Sequence, residues 1–153
     1  MMNSYEDLRI TKLRDYLYNV VKEINNGIKE INADALNKDI NSYSLDRIPS
    51  EPLIENWIIG TSIKRDVYDF KSRCAYSYND IENLKNIGFF EKFEEIIRYN
   101  NENKIFPEIE GVEKIECLNV GTLLDVEKST AEFDIQIQIT FRENFKEQNI
   151  ISI

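Results

Sequence analysis

The sequence predicts a two-layer α+β domain: a mostly antiparallel or mixed four-stranded sheet with helices on one face, in the order α-β-β-α-β-β. Three observations carry this. Ala131, Phe133, Ile135, Ile137, Ile139 and Phe141 alternate with Glu132, Asp134, Gln136, Gln138, Thr140 and Arg142, the pattern of a strand with one face on a core and the other wet. Two other stretches repeat apolar residues at helical spacing. Finally, 153 residues with 42% hydrophobic content suffice for one sizeable core. No linker, fixed-period repeat or low-complexity tract divides residues 1–153, so a single domain is expected.

Taken in order, residues 5–31 read as an amphipathic helix. Leu13, Tyr16, Leu17, Val20, Val21, Ile24, Ile28 and Ile31 fall on one stripe, with Lys, Glu and Asn opposite. Ser4 with Asp7 offers a capping box, and Gly27 is a weak point. A β-like stretch from Tyr43 to Ile48 precedes Pro49-Ser50-Glu51-Pro52, whose prolines cannot donate to a ladder and so mark an edge or bend. After Gly60, residues 63–76 read as a long strand. Tyr68, Phe70, Cys74 and Tyr76 lie on one side of it, and Asp69, Lys71 and Arg73 on the other. Asn79 with Glu82 marks a helix start, and residues 80–103 read as two consecutive helices or one kinked at Gly88. Strands over 115–124 and 131–142 then flank a turn near 125–130, and residues 144–153 are read as a flexible tail carrying Ile150, Ile151 and Ile153.

The composition excludes more chemistry than it offers. A net charge of −9 opposes non-specific binding to nucleic acid or anionic membrane. No apolar run of about 18 residues is present, and the N-terminus lacks the basic-then-apolar order of a signal peptide, so a cytoplasm is the expected compartment. With no histidine, Ser-His-Asp and Cys-His catalysis and His-ligated zinc are removed. Cys74 and Cys117 are too few for a four-cysteine zinc site and form no CxxC. They read as small buried thiols. Five glycines and no phosphate-loop motif leave no nucleotide cradle. Carboxylate pairs such as Glu94-Glu95, and Glu108 with Glu110, sit on helix faces or in loops, where a solvated surface explains them. Lys64-Arg65 is the sole adjacent basic pair, and Asp69 sits among Arg65, Lys71 and Arg73, so no basic stripe suits nucleic acid. No enzyme activity, metal or cofactor is expected. Trp57, beside Ile58 and Ile59, reads as core or as an interface anchor.

From about Ile48 to Phe141 the chain resembles a family of small bacteriophage tail terminator proteins. The resemblance runs in order through Pro49-Ser50-Glu51-Pro52, Gly60, Phe70 and Arg73, then Asn83-Leu84-Lys85-Asn86-Ile87-Gly88-Phe89-Phe90-Glu91-Lys92-Phe93. It continues through Asn101, Pro107, Lys114-Ile115-Glu116, Gly121 and Ala131-Glu132-Phe133-Asp134-Ile135-Gln136. These motifs are structural, not catalytic. Ile97 stands where the family often carries a tryptophan.

The resemblance implies a virion protein that assembles as a ring, usually a hexamer, on the head-proximal end of a tail tube. Such a ring stops tube polymerisation and offers a surface to the neck or connector, and in contractile systems to the last layer of sheath protein. If the helices cover one sheet face, the other could line a channel for DNA. Its lining would include Asp69, Lys71, Arg73, Gln136, Gln138 and Thr140. Subunit or partner contacts would use Trp57, Arg65, Asp125, Glu127 and Lys128. Two further readings remain: a head-completion or other neck protein, and a small ligand-binding regulatory α+β domain, which a pocket of convergent polar groups would favour.

Overall fold

The structure, a computed structural model, describes residues 5–26, 28, 30–33, 42–49, 53–56, 61–75, 80–127 and 129–144. It is an α+β fold with two helices and a mixed sheet. After a 3-10 turn at Tyr5–Asp7 comes α1 (Arg9–Ile24), followed by β1 (Ile31–Ala33), β2 (Ser42–Ile48), β3 (Leu53–Asn56) and β4 (Thr61–Ala75). Then come α2 (Asp80–Glu102), β5 (Val112–Cys117), β6 (Thr122–Glu127) and β7 (Thr130–Asn144).

Two fifteen-residue strands form the spine. β4 and β7 pair antiparallel without a register break, from Thr61 opposite Asn144 to Ala75 opposite Thr130. Everything else is added to their outer edges. β2 and β3 pair with β4, β5 and β6 pair with β7, and β1 joins β2 in parallel. The expected four-stranded sheet and α-β-β-α-β-β order are therefore corrected: among the described residues the sheet has seven strands, in the order β1-β2-β4-β7-β5 with β3 and β6 beside it. Each long strand exceeds the reach of one neighbour, so two short strands share each outer edge.

The other differences have local causes. The anticipated helix over 5–31 stops at Ile24, because Asn25 leaves helical dihedrals at φ −133° and ψ 97° after closing one last bond to the Val21 carbonyl (2.7 Å). Ile28 and Ile31 still reach the core, Ile28 from the turn after α1 and Ile31 from β1. Leu8 precedes α1 without a side-chain cap, and Ser4 of the anticipated capping box lies outside the described residues. The single expected strand over 115–124 is divided into β5 and β6 at residues 118–121. There the Asn119 carboxamide oxygen accepts from the Gln136 amide (2.8 Å), filling the missing ladder position. Around Gly88 α2 is one continuous helix. Pro49 is exposed just after β2, whereas Ser50, Glu51, Pro52, Gly60 and Tyr76 lie outside the described residues, as does the anticipated tail from 145.

Both helices lie on one sheet face. Leu13, Leu17, Val20 and Val21 of α1 and Phe93 and Ile97 of α2 join Leu45, Phe70, Ile135, Ile137 and Ile139 in one buried cluster. Aromatic rings bind α2 to the sheet: Phe93 stacks on Phe70 with centroids 5.2 Å apart, and Phe90 meets Phe133 at 5.3 Å. Asn86 is buried and donates to the Ala75 carbonyl (3.1 Å), which ties the first turns of α2 to the end of β4. At the far end Gly111 has φ +81°, and a Cβ there would run into the Arg142 carbonyl, so only glycine fits the turn into β5.

A charged cluster is embedded in the helix-covered side. Asp66 is fully buried on β4; it accepts from Arg9 Nε at 2.7 Å, from Arg47 Nη2 at 3.0 Å and from the Tyr68 hydroxyl at 3.0 Å. It links the start of α1, β2 and β4 at one point. The guanidinium of Arg9 also lies 4.7 Å from the centre of the Phe141 ring, a cation–π contact. Burial and then the Asp66 charge push the Tyr68 phenol upward, so it stays a donor. Asp66→Ala strands that hydroxyl and removes two charge-assisted bonds; a urea melt should show a loss of about 2–4 kcal/mol, and Tyr68→Phe a loss of about 1 kcal/mol.

Candidate functional site

The face away from the helices is the candidate site, and its composition follows from the β4–β7 register. Directly opposed residues on antiparallel strands share a face. Asp69 opposes Gln136, Lys71 opposes Asp134, Arg73 opposes Glu132, Val67 opposes Gln138 and Arg65 opposes Thr140. The six residues read as a channel lining, Asp69, Lys71, Arg73, Gln136, Gln138 and Thr140, are thus brought onto one surface. Arg65, assigned beforehand to a subunit contact, lies on it too. So does Asp125, which opposes Glu132 from β6. Of the remaining contact candidates, Glu127 is described only as the backbone partner of Thr130, and Trp57 and Lys128 lie outside the described residues.

This face is drier than its alternation predicts. Asp134 is 7% exposed and Ser44 is fully buried, although both lie on the open side. Three carboxylates converge there from three strands. Asp46 of β2 stands opposite Asp69 of β4, and Asp134 of β7 is one step along. Lys71 Nζ is 4.0 Å from both Asp46 and Asp69. Burial first, then the hydrogen bond and charge of Asp134, push the Asp69 carboxyl up to about 7; Lys71 opposes the shift and Asp46 adds to it. Asp69 therefore keeps its proton well above the ordinary carboxylate range, where two bare carboxylates would repel.

Other cations on the face are engaged in the same way. Lys114 Nζ lies 3.4 Å from Glu116, the Arg142 Nε donates to Glu113 at 2.7 Å, and the Gln138 carboxamide donates to Glu116 at 3.2 Å. The result is a polar, locally neutralised surface without a concentrated positive charge. Among the described residues no group of three His, Cys, Asp or Glu side chains is disposed to hold a metal ion. No helix among them is long and apolar enough to cross a membrane.

Cys74 and Cys117 are half-buried free thiols. They flank β7 at Ala131 and Ile137, too far apart along the strand to bridge. Burial raises both, Cys117 to about 12, which makes each a poor nucleophile. A cleft of about 780 Å³ beside Arg9, Glu113 and Arg142 is open and largely polar; Arg9 is engaged with Asp66 and Arg142 with Glu113.

Sequence reasoning placed Asp134 on this face without foreseeing its burial, missed Asp46 as a member of the face, and missed an apolar groove on the other side of the sheet. Asn86, Ile87, Phe90, Glu91, Val120, Gly121, Leu123 and Phe133 line it, around about 550 Å³. Gly121 has φ +84° and lies so close to the Phe90 ring that a Cβ would come within 2.6 Å of it. That glycine shapes the groove floor. The exposed Leu84, Ile87, Val120, Leu123, Leu124 and Val126 were the available signal, since apolar residues left outside a core mark contacts.

No protein-family profile matches the chain, and no curated protein matches it.

The raised Asp69 carboxyl has a measurable consequence. Unfolded Asp releases its proton at about pH 4, whereas Asp69 in the fold holds one until about 7. The folded state binds more protons between those limits, so stability is highest at the acid end and falls as pH rises through the window. Asp69→Asn should flatten this slope and raise the melting temperature at pH 8; an unchanged slope would show that Asp69 does not retain its proton in the fold.

Proposed function

We propose that this protein caps the head-proximal end of a phage tail tube as a ring, stops tube polymerisation and offers the docking surface for the neck or connector. The observation that supports the reading best is the open sheet face, a surface along both long strands on which Lys71, Lys114 and Arg142 each lie beside a carboxylate. A channel wall for DNA needs this quality: phosphate finds water and carboxamides there, but no free cluster of cations to hold it.

The ordered resemblance between Ile48 and Phe141 adds a second support. Its aromatic run is what packs α2 on the sheet, through Phe90 and Phe93, and its Asn86 fixes the helix start. Those positions are therefore needed to build the two-layer unit. Partners in this reading are further copies of the chain, the tube protein, the neck protein and, in a contractile tail, the sheath. Assembly takes place in the host cytoplasm and the finished protein belongs to the virion.

Negative-stain microscopy of tails with the gene present and deleted tests the reading. Overlong, ragged tubes in the deletion are expected. Normal tubes that fail only to join heads would move the protein to the neck, and unaffected tails would discard a virion role. The channel assignment has its own test. Gln136→Arg with Gln138→Arg puts two cations on the face at positions where side chains already reach solvent, and should slow DNA ejection; unchanged ejection would remove these residues from the lumen.

A further inference from the structure

The groove between α2 and β6 lies at one corner of the sheet. Ile87 is 54% exposed, Val120 81% and Leu123 45%, so an apolar surface stands open around the floor formed by Phe90 and Phe133. β6 borders it and, among the described residues, has a strand partner on one side alone, β7. An edge strand with exposed leucines beside an apolar groove is a template for one more strand.

The sequence contains a segment of matching chemistry. Ile150-Ile151-Ser152-Ile153 carries three β-branched residues of high strand propensity. It cannot fill the groove of its own chain. The segment starts six residues beyond Asn144, a span of at most about 21 Å for Ile150 and about 32 Å for Ile153. Asn144 pairs with Thr61 at the far end of the spine, whereas the groove residue Phe133 is eleven positions back along β7, about 36 Å away. The strand length separates the two by more than the intervening chain can cover.

We infer that the groove receives residues 150–153 of a second copy, laid as an added strand against β6 with isoleucine side chains over Phe90 and Val120. The contact is heterologous: each copy gives a segment and accepts one, so it propagates from copy to copy and closes when the rotation allows. The inference deepens the ring reading and rests on it for its biological meaning, though not for its geometry.

Two full-length variants separate the two sides of the contact. Val120→Asp spoils the groove at an exposed position, and Ile150→Asp with Ile151→Asp spoils the segment. A fluorescent peptide of residues 144–153 should bind the segment variant, and adding Val120→Asp should weaken it by about tenfold or more. Mixing the two single-sided variants should give a one-to-one heterodimer that grows no further in sedimentation velocity, because one groove and one segment remain usable. Equal peptide binding with and without Val120→Asp, absence of peptide binding, or a mixture that stays monomeric would each overturn the inference. Overlong tubes on deletion with no peptide binding would discard the contact and keep the cap. Peptide binding with normal tubes would do the reverse.

Discussion

The uninterrupted ladder between β4 and β7 is the constraint on which the rest depends. Each of the two strands gives one outer edge to a pair of shorter strands, and their inward side chains supply much of the floor on which both helices rest. Because side chains alternate with period two, the register also fixes what the opposite face presents. Slipping β7 by one residue against β4 would drive Gln136 and Gln138 under the helices and bring Ile135 and Ile137 out to the open side. Core and candidate site are thus one decision made twice, and neither can be altered without the other.

Two acids of β4 illustrate opposite ways of handling charge in such a fold. Asp66, on the helix side, is fully buried and surrounded by donors from three elements, two of them guanidiniums. Asp69, half-buried on the other side, meets two further carboxylates and a single lysine, and so relies on a retained proton. The first arrangement fastens α1 to the sheet. The second keeps a crowded strip of polar side chains from accumulating negative charge, at a cost in stability that grows with pH.

The long strands were legible because they alternate, and the sides of Phe70, Asp69, Ile137 and Gln138 follow from counting alone. Seven strands were not legible, for reasons that lie in particular residues. Ile28 and Ile31 continue a helical stripe while sitting in a turn and in β1, so periodicity carries it past Ile24, where the helix ends. β6 has a register shift between Leu123 and Asp125, which erases its alternation. Asn119 takes a ladder position with its side chain, which no local pattern announces. The candidate face was visible in outline, but the burial of Asp134 and Ser44 depends on neighbours distant in sequence. Asp66 did leave a trace: a carboxylate in register with Tyr68 and Phe70 has to be paired.

The same ladder sets when this protein can exist at all. Its residue pairs are separated by 55 positions at Ala75 with Thr130 and by 83 at Thr61 with Asn144, so the spine is built entirely from contacts remote in sequence. Such topologies fold slowly, since chain closure precedes any reward from burial. They also leave apolar strands exposed meanwhile. Because β7 is the last of the described strands to be made, a chain still on the ribosome has β4 without its β7 partner and α1 without much of its floor. The open face is completed only when translation has passed Asn144, so it comes into being as a surface all at once and late.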